Sequence, residues 1–142
     1  AVLYGFLLSF ASTASGTVLH YAFGIEAPYG FFSLPKLLGV PGGLLLSVGC
    51  AGLAWLKLKA DPELGAPAAW GGEMAFVLLL FAVAVSGLAL YAATGTSAVA
   101  WLLPLHLGAV LTFFLLTPYS KMAHGFYRMA ALTRDAAQNR AA

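Results

Sequence analysis

Three histidines are the residues of this sequence best suited to chemistry. His20 and His106 each lie inside a long uncharged run, whereas His124 follows the last such run. Ionisable side chains in stretches long enough to span a membrane are costly and usually functional. Two neutral imidazoles on neighbouring helices could supply the two axial nitrogens of a haem iron. The alternative is that each histidine only forms a hydrogen bond to a neighbouring helix.

The composition indicates a membrane protein. The chain has 142 residues, of which 61% are hydrophobic and 8% are charged, and its mean hydropathy is +0.90. A soluble domain has roughly 25% charged residues, so lipid must cover most of this exterior. The net charge of +2 is too small to favour nucleic-acid binding. With Cys50 as its single cysteine, the chain cannot form a disulfide framework, a covalent haem attachment or an iron–sulfur motif.

Four uncharged runs are long enough to cross a bilayer as helices. About 20 helical residues span the hydrocarbon core of roughly 30 Å, and breaks rich in proline, glycine and charge separate the runs. We therefore expect an all-α, polytopic membrane four-helix bundle with a short cytoplasmic amphipathic C-terminal helix. The predicted spans are approximately residues 2–23, 37–56, 74–91 and 98–117, and the tail is 118–142.

The basic residues predict the orientation. Six of the seven Lys and Arg residues follow the second or fourth span, and only Lys36 lies on the opposite side. By the positive-inside rule, we expect both termini on the cytoplasmic side of the cytoplasmic (inner) membrane. Because the chain lacks an initiator Met and begins in an apolar stretch, we also expect it to be a fragment. The six residues are Lys57, Lys59, Lys121, Arg128, Arg134 and Arg140.

This topology brings His20 and His106 to a similar depth near the outer side. Gly16 precedes His20 by one helical turn and Gly108 closely follows His106, so we expect both glycines to let a porphyrin approach the backbone. His124 lies 18 residues after His106, roughly 27 Å along a helix, and cannot share that haem. It either binds a second haem or joins a basic face on anionic lipid headgroups.

Lys36 and Glu26 belong to the outer loop beside the expected haem. A quinone headgroup requires a donor to its carbonyl oxygen and a proton path to water, and either residue could serve. We therefore expect quinone as a substrate near this loop, with Lys36 as a candidate binding residue. The alternative is that both residues are ordinary loop charges.

The segment from His106 to His124 resembles the last helix of the respiratory nitrate reductase gamma subunit. Both contain a histidine, an aromatic-rich apolar run, a Pro-aromatic-Ser-basic turn and a second histidine in this order. The resemblance implies that His20 and His106 bind an outer haem b, that His124 binds an inner haem, and that Lys36 matches a lysine of the quinol loop. The gamma subunit's fourth histidine corresponds to Phe10, so the inner haem lacks its usual partner.

The whole chain is more similar to the membrane domain of tricarballylate (citrate) utilization protein B. Members of that family join this part to an N-terminal iron–sulfur domain and are thought to reoxidise a flavoprotein dehydrogenase. That iron–sulfur domain lies outside the present sequence. The motifs that carry the resemblance are LHYAFG at 19–24, APY at 27–29, SLPK at 33–36 and HGFYR at 124–128.

The resemblance implies one cytochrome-b-like transmembrane domain over residues 1–142. Electrons would pass from a cytoplasmic flavoprotein through iron–sulfur clusters outside this chain, then through haem b to quinone. The chain would be an electron-transfer component of an oxidoreductase, without catalytic residues of its own. One alternative is a haem-free membrane anchor for a soluble dehydrogenase. Another is a small transporter, which would be expected to have repeated or broken helices and acidic residues at the midplane.

Overall fold

The computed structural model describes residues 1–26, 29–30, 32–60 and 67–141. Within these ranges the chain is helical almost throughout and contains no strand. Four of the helices are long and apolar enough to cross a membrane, so the predicted all-α architecture with four spans is confirmed. The elements are α1 (Val2–Phe23), α2 (Leu34–Lys59), α3 (Pro67–Ala92), α4 (Val99–Leu116), a 3-10 turn (Thr117–Tyr119) and α5 (Lys121–Ala141).

Two spans begin earlier than the sequence pattern indicated. Pro35 lies in the first turn of α2 and Pro67 is the first residue of α3. A proline in the first turn loses no helical hydrogen bond there, and its fixed φ suits the helix. The predicted starts at residues 37 and 74 are therefore too late, and Lys36 belongs to the first turn of α2 rather than to a loop. The predicted end of the second span at residue 56 is too early, since α2 continues to Lys59.

Consecutive spans pack against one another as antiparallel neighbours. α1 and α2 approach most closely, because glycines replace side chains between them. A Cβ added at Gly5 would lie 2.5 Å from the backbone nitrogen of Leu46, and one at Gly42 would lie 2.8 Å from that of Ser9. Small residues at such positions allow direct backbone contact, as is common between membrane helices.

The order of the helices defines two ends of the bundle. α1 and α3 begin at one end of the bundle, where α2 and α4 finish, and we call this the lower end. The opposite end is called the upper end. Close backbone packing joins α1 to α2, α2 to α3 and α3 to α4, which leaves a space between α1 and α4. The rings of Phe6 and Phe113, with centroids 5.6 Å apart, bridge this space toward the lower end.

The buried core is small and the exterior is apolar. Large hydrophobic side chains are exposed along all four spans, and Trp101 at the start of α4 is 82% exposed. Water would disfavour such a surface, whereas lipid matches it, so the fold suits a multi-pass membrane protein. The core cluster among the described residues comprises Leu46, Cys50, Leu80, Ala84 and Phe113.

α5 leaves the bundle at its lower end and packs against the 3-10 turn. It is 21 residues long and lies within the predicted tail of residues 118–142, so the C-terminal helix expected from the sequence is confirmed. Phe126, Met129 and Thr133 recur at helical spacing on one face, and Arg128 and Asp135 lie on the other. The helix is therefore amphipathic, as expected.

Candidate functional site

A cavity of about 600 Å³, here called the upper cavity, lies among the four spans. Its volume falls in the range of roughly 300–1,000 Å³ found for small-molecule sites. Apolar side chains form most of its lining, which suits a large hydrophobic ligand. Polar side chains enter it from each of the four spans: Ser9, Thr13, Thr17, Lys36, Tyr91 and His106.

His106 of α4 is held by Ser86 of α3. Its Nδ1 lies 2.8 Å from the Ser86 Oγ, which in turn lies 3.2 Å from the Val83 carbonyl oxygen. A hydroxyl has one hydrogen, so all three groups are satisfied when Ser86 donates to the carbonyl and accepts from Nδ1–H. This tautomer leaves Nε2 unprotonated, which is the state that binds a metal ion.

The lack of a side chain at Gly87 allows the His106 ring to pack against α3. A Cβ added at Gly87 would lie 3.1 Å from Cε1 of the ring, closer than the roughly 3.5–4.0 Å of an ordinary carbon contact. Gly108, by contrast, is exposed and faces open space, because two helical residues correspond to a rotation of about 200°. The small residue beside the imidazole is therefore Gly87, and the structure places Gly108 on a different face of α4.

His20 lies in the last turn of α1, above the upper cavity. The helix ends at Gly24, which has a φ of 66° and donates its N–H to the His20 carbonyl at 3.1 Å. The His20 ring is exposed and packs edge-on against Tyr21, with centroids 4.8 Å apart. Thr17, one turn earlier on the same face, lines the cavity. The structure therefore places His20 beyond the cavity rim, and no hydrogen bond or ring contact among the described residues joins it to His106.

Gly16 packs against the loop at the upper end. The Tyr29 hydroxyl donates to the Gly16 carbonyl oxygen at 2.9 Å, and a Cβ at Gly16 would meet the Tyr29 ring at 3.6 Å and Pro35 at 3.9 Å. Gly16 does not line the upper cavity. The two Cβ distances are ordinary contact distances, so a Cβ would fit at Gly16, and the role of Gly16 beside a haem stays a prediction.

Lys36 lines the same cavity as His106. Its Nζ lies 5.3 Å from the centroid of the Tyr91 ring. Tyr91 follows Gly87 by four residues on α3, about 6 Å toward the upper end. Lys36 therefore places a positive charge about one helical turn above His106. Glu26, the other charge expected near the site, is exposed.

His124 lies on α5, exposed and outside the upper cavity. Phe10, at the position where the gamma subunit has a histidine, lines the cavity and packs against Phe6 with centroids 6.4 Å apart. Among the residues that the structure describes, no three or more His, Cys, Asp or Glu side chains form a metal-binding cluster. Ligation of a second haem by His124 stays a prediction.

Ser86 and Gly87 are site residues that the sequence pattern did not indicate. Small residues in membrane helices usually mark packing positions, so Ser86 gave no reason to pair it with a histidine. One signal was available. Ser86 and His106 each lie ten residues from Thr96 in the turn between α3 and α4, so an antiparallel hairpin brings them to the same level.

Comparison with known proteins agrees with the resemblance drawn from the motifs. A family model described as Citrate utilization protein B matches residues 1–142. Citrate utilization protein B of Escherichia coli is 47% identical over 137 residues, covering 96% of this chain and 36% of the relative. The chain thus spans about a third of that relative's length. No solved structure matches the chain. Because the family model covers the chain from end to end, this protein belongs to the citrate utilization protein B family.

Proposed function

We propose that this chain is the membrane part of an electron-transfer system that passes electrons through b-type haem to quinone. The observation that carries the proposal is the hydrogen bond between His106 and Ser86 at the wall of the upper cavity. Metal-binding histidines almost always donate their second ring N–H to a neighbouring acceptor, which fixes the tautomer and the ring orientation. The name of the Escherichia coli relative further supports a role in citrate utilization.

The residues around the upper cavity fit a b-type haem. His106 would hold the haem iron through its Nε2, and the largely apolar lining of the cavity suits a porphyrin. Lys36, about one turn above, would offer its ammonium to the carboxylates of the haem. His20, in the last turn of α1 above the cavity, would provide a second imidazole for the iron, which requires its exposed ring to rotate toward the cavity. When bound, the haem iron would accept and release one electron at a time.

We further propose that the lower end of the bundle faces the cytoplasm. Lys57 and Lys59 form the last turn of α2 at that end, and α5, which carries four more basic residues, begins there. Basic residues are enriched on the cytoplasmic side of membrane proteins. A flavoprotein dehydrogenase and an iron–sulfur domain would then deliver electrons from below, toward the upper cavity.

The test of the haem proposal is the reduced-minus-oxidised absorption spectrum of the detergent-purified chain, with a pyridine haemochrome assay. We expect a b-type α band and about one haem per chain. His20→Ala and His106→Ala should each abolish the bis-histidine spectrum, whereas Gly52→Ala, which faces open space, should preserve it. A normal spectrum in His20→Ala would show that His20 is not a haem ligand. Two haems per chain would show that His124 binds a second haem together with another ligand.

A haem-free membrane anchor is the alternative function, and one observation favours it. The His20 ring is exposed, and no hydrogen bond or ring contact among the described residues joins it to His106. The hydrogen bond to Ser86 would also satisfy the polar ring of a histidine that only packs between helices. Absence of a Soret band in protein expressed with adequate haem supply would make this anchor the better description.

A further inference from the structure

A second cavity, of about 820 Å³, lies at the lower end among α2, α3 and the end of α4. We call it the lower cavity. Leu56, Val77 and Leu116 contribute apolar side chains to its lining. Its volume is again in the range of small-molecule sites, roughly 300–1,000 Å³. The bundle therefore offers a second binding space, separate from that of His106.

An ion pair supplies the polar side of the lower cavity. Lys57 of α2 pairs with Glu73 of α3, and the two side chains are 18% and 27% exposed. The Trp70 ring lies beside the ammonium, with its centroid 5.9 Å from Nζ. Because the two charges compensate, the pair presents no net positive charge to a lipid phosphate. The cavity suits a neutral, largely apolar ligand that accepts a hydrogen bond.

The two cavities are neighbours. Phe113 lines the upper cavity and Phe76 lines the lower one, and the centroids of their rings are 5.5 Å apart. One aromatic pair therefore joins the wall of one cavity to the wall of the other. An electron donor in the upper cavity and an electron acceptor in the lower cavity would lie close together.

We propose that the lower cavity binds a quinone headgroup, an inference that rests on the electron-transfer function proposed above. The Lys57 ammonium would donate a hydrogen bond to one carbonyl oxygen, and Glu73 would relay protons from water at the lower end. Reduction of the quinone to the quinol takes two electrons, for which the flavoprotein dehydrogenase of the electron-transfer system proposed above would be the source. It also takes two protons, one for each carbonyl oxygen.

This location differs from the outer loop that the sequence suggested for quinone. Lys36, the candidate there, lines the space that a haem on His106 would fill. Its charge would then neutralise haem carboxylates, and the quinone would bind at the other end of the bundle. Protons for the quinone would come from the cytoplasmic side.

Photolabelling with a short-chain azidoquinone tests the proposal on the haem-loaded chain in detergent. We expect saturable cross-links in peptides that contain Lys57 and Phe76, suppressed by excess of the same quinone without the azide. Lys57→Gln should weaken labelling at least about tenfold, because a charged hydrogen-bond donor is lost. Lys59→Gln is the matched control, since Lys59 packs over Trp55 at 4.6 Å and does not line the cavity.

A second variant keeps the test decisive if Lys57→Gln does not fold. Val77→Phe should fill part of the lower cavity without removing the ion pair, and should reduce labelling while the haem spectrum stays normal. Saturable cross-links near Lys36 and Tyr91 would place the quinone in the upper cavity and overturn the proposal. Labelling that excess unmodified quinone does not suppress would overturn it too, since the cavity would then be a lipid-filled crevice.

The absorption spectrum of the same samples separates the two proposals. A normal haem spectrum without labelling of the lower cavity rejects the quinone site and leaves the haem function standing. A missing Soret band rejects the electron-transfer function, whether or not quinone binds. Saturable labelling of the lower cavity together with a normal spectrum supports both.

Discussion

Replacing Ser86 with alanine should weaken haem binding without unfolding the bundle. The variant loses the oxygen that lies 2.8 Å from Nδ1 of His106, so the ring is free to rotate and its tautomer is no longer set. Outer partners of metal-binding histidines typically contribute about 10- to 100-fold in affinity, which corresponds to about 1.4–2.7 kcal/mol. The helix should tolerate the change, because alanine has a higher helix propensity than serine.

Titration of the apo-protein with haem in detergent measures this effect. Ser47→Ala is the matched control, since the Ser47 hydroxyl also bonds within its own helix, to the Gly43 carbonyl at 2.8 Å, but does not line the upper cavity. We expect the Kd for haem to rise about 10- to 100-fold in Ser86→Ala and to stay unchanged in Ser47→Ala. Thermal unfolding of both apo-proteins should be alike. Equal haem affinity in the two variants would refute the argument that Ser86 positions His106.

Two further predictions use the glycines. Gly87→Ala should displace the His106 imidazole and lower haem occupancy, because the new Cβ would lie 3.1 Å from Cε1, whereas Gly108→Ala faces open space and should bind haem normally. Gly42→Ala should destabilise the packing of α1 on α2, since its Cβ would lie 2.8 Å from a backbone nitrogen. Its Tm in detergent should fall below that of Gly52→Ala, which meets no neighbour.

The opposite results for these glycine variants would contradict the helix packing described above. A loss of haem in Gly108→Ala with normal occupancy in Gly87→Ala would favour the arrangement expected from the sequence, in which Gly108 borders the porphyrin. A Gly42→Ala variant as stable as Gly52→Ala would show that α1 and α2 can separate slightly without cost. The first result would mean that α4 is rotated relative to the arrangement described above, and the second that the contact between α1 and α2 is adaptable.

The four spans could be predicted from the sequence because hydrocarbon sets strict conditions. A span must be long enough to cross the bilayer and must satisfy its own backbone hydrogen bonds, so an uncharged run of sufficient length becomes a helix. The ends of the spans were harder to predict. Pro35 and Pro67 looked like breaks but lie in first turns, and only the complete helix shows that their missing N–H costs nothing there.

The sequence also indicated that His20 and His106 lie toward the same end of the bundle, because four consecutive antiparallel spans bring the end of the first and the start of the fourth to one side. It did not determine which way each side chain points. Side chains one position apart differ by about 100° around a helix, so Gly108, two positions after His106, faces open space while the His106 ring packs against Gly87. Gly16 lies one turn before His20 on the same face, but it packs against Tyr29 and Pro35.

Which residues meet depends on the packing of the helices in three dimensions. The rotation of α3 against α4 brings Ser86 and Gly87 to His106, and the register of α2 against α3 pairs Lys57 with Glu73 beside the lower cavity. These contacts depend on how side chains interdigitate across each helix pair, and no local pattern of apolar residues encodes that. Composition and span order are properties of each helix separately, whereas a binding site belongs to the packing of several helices together.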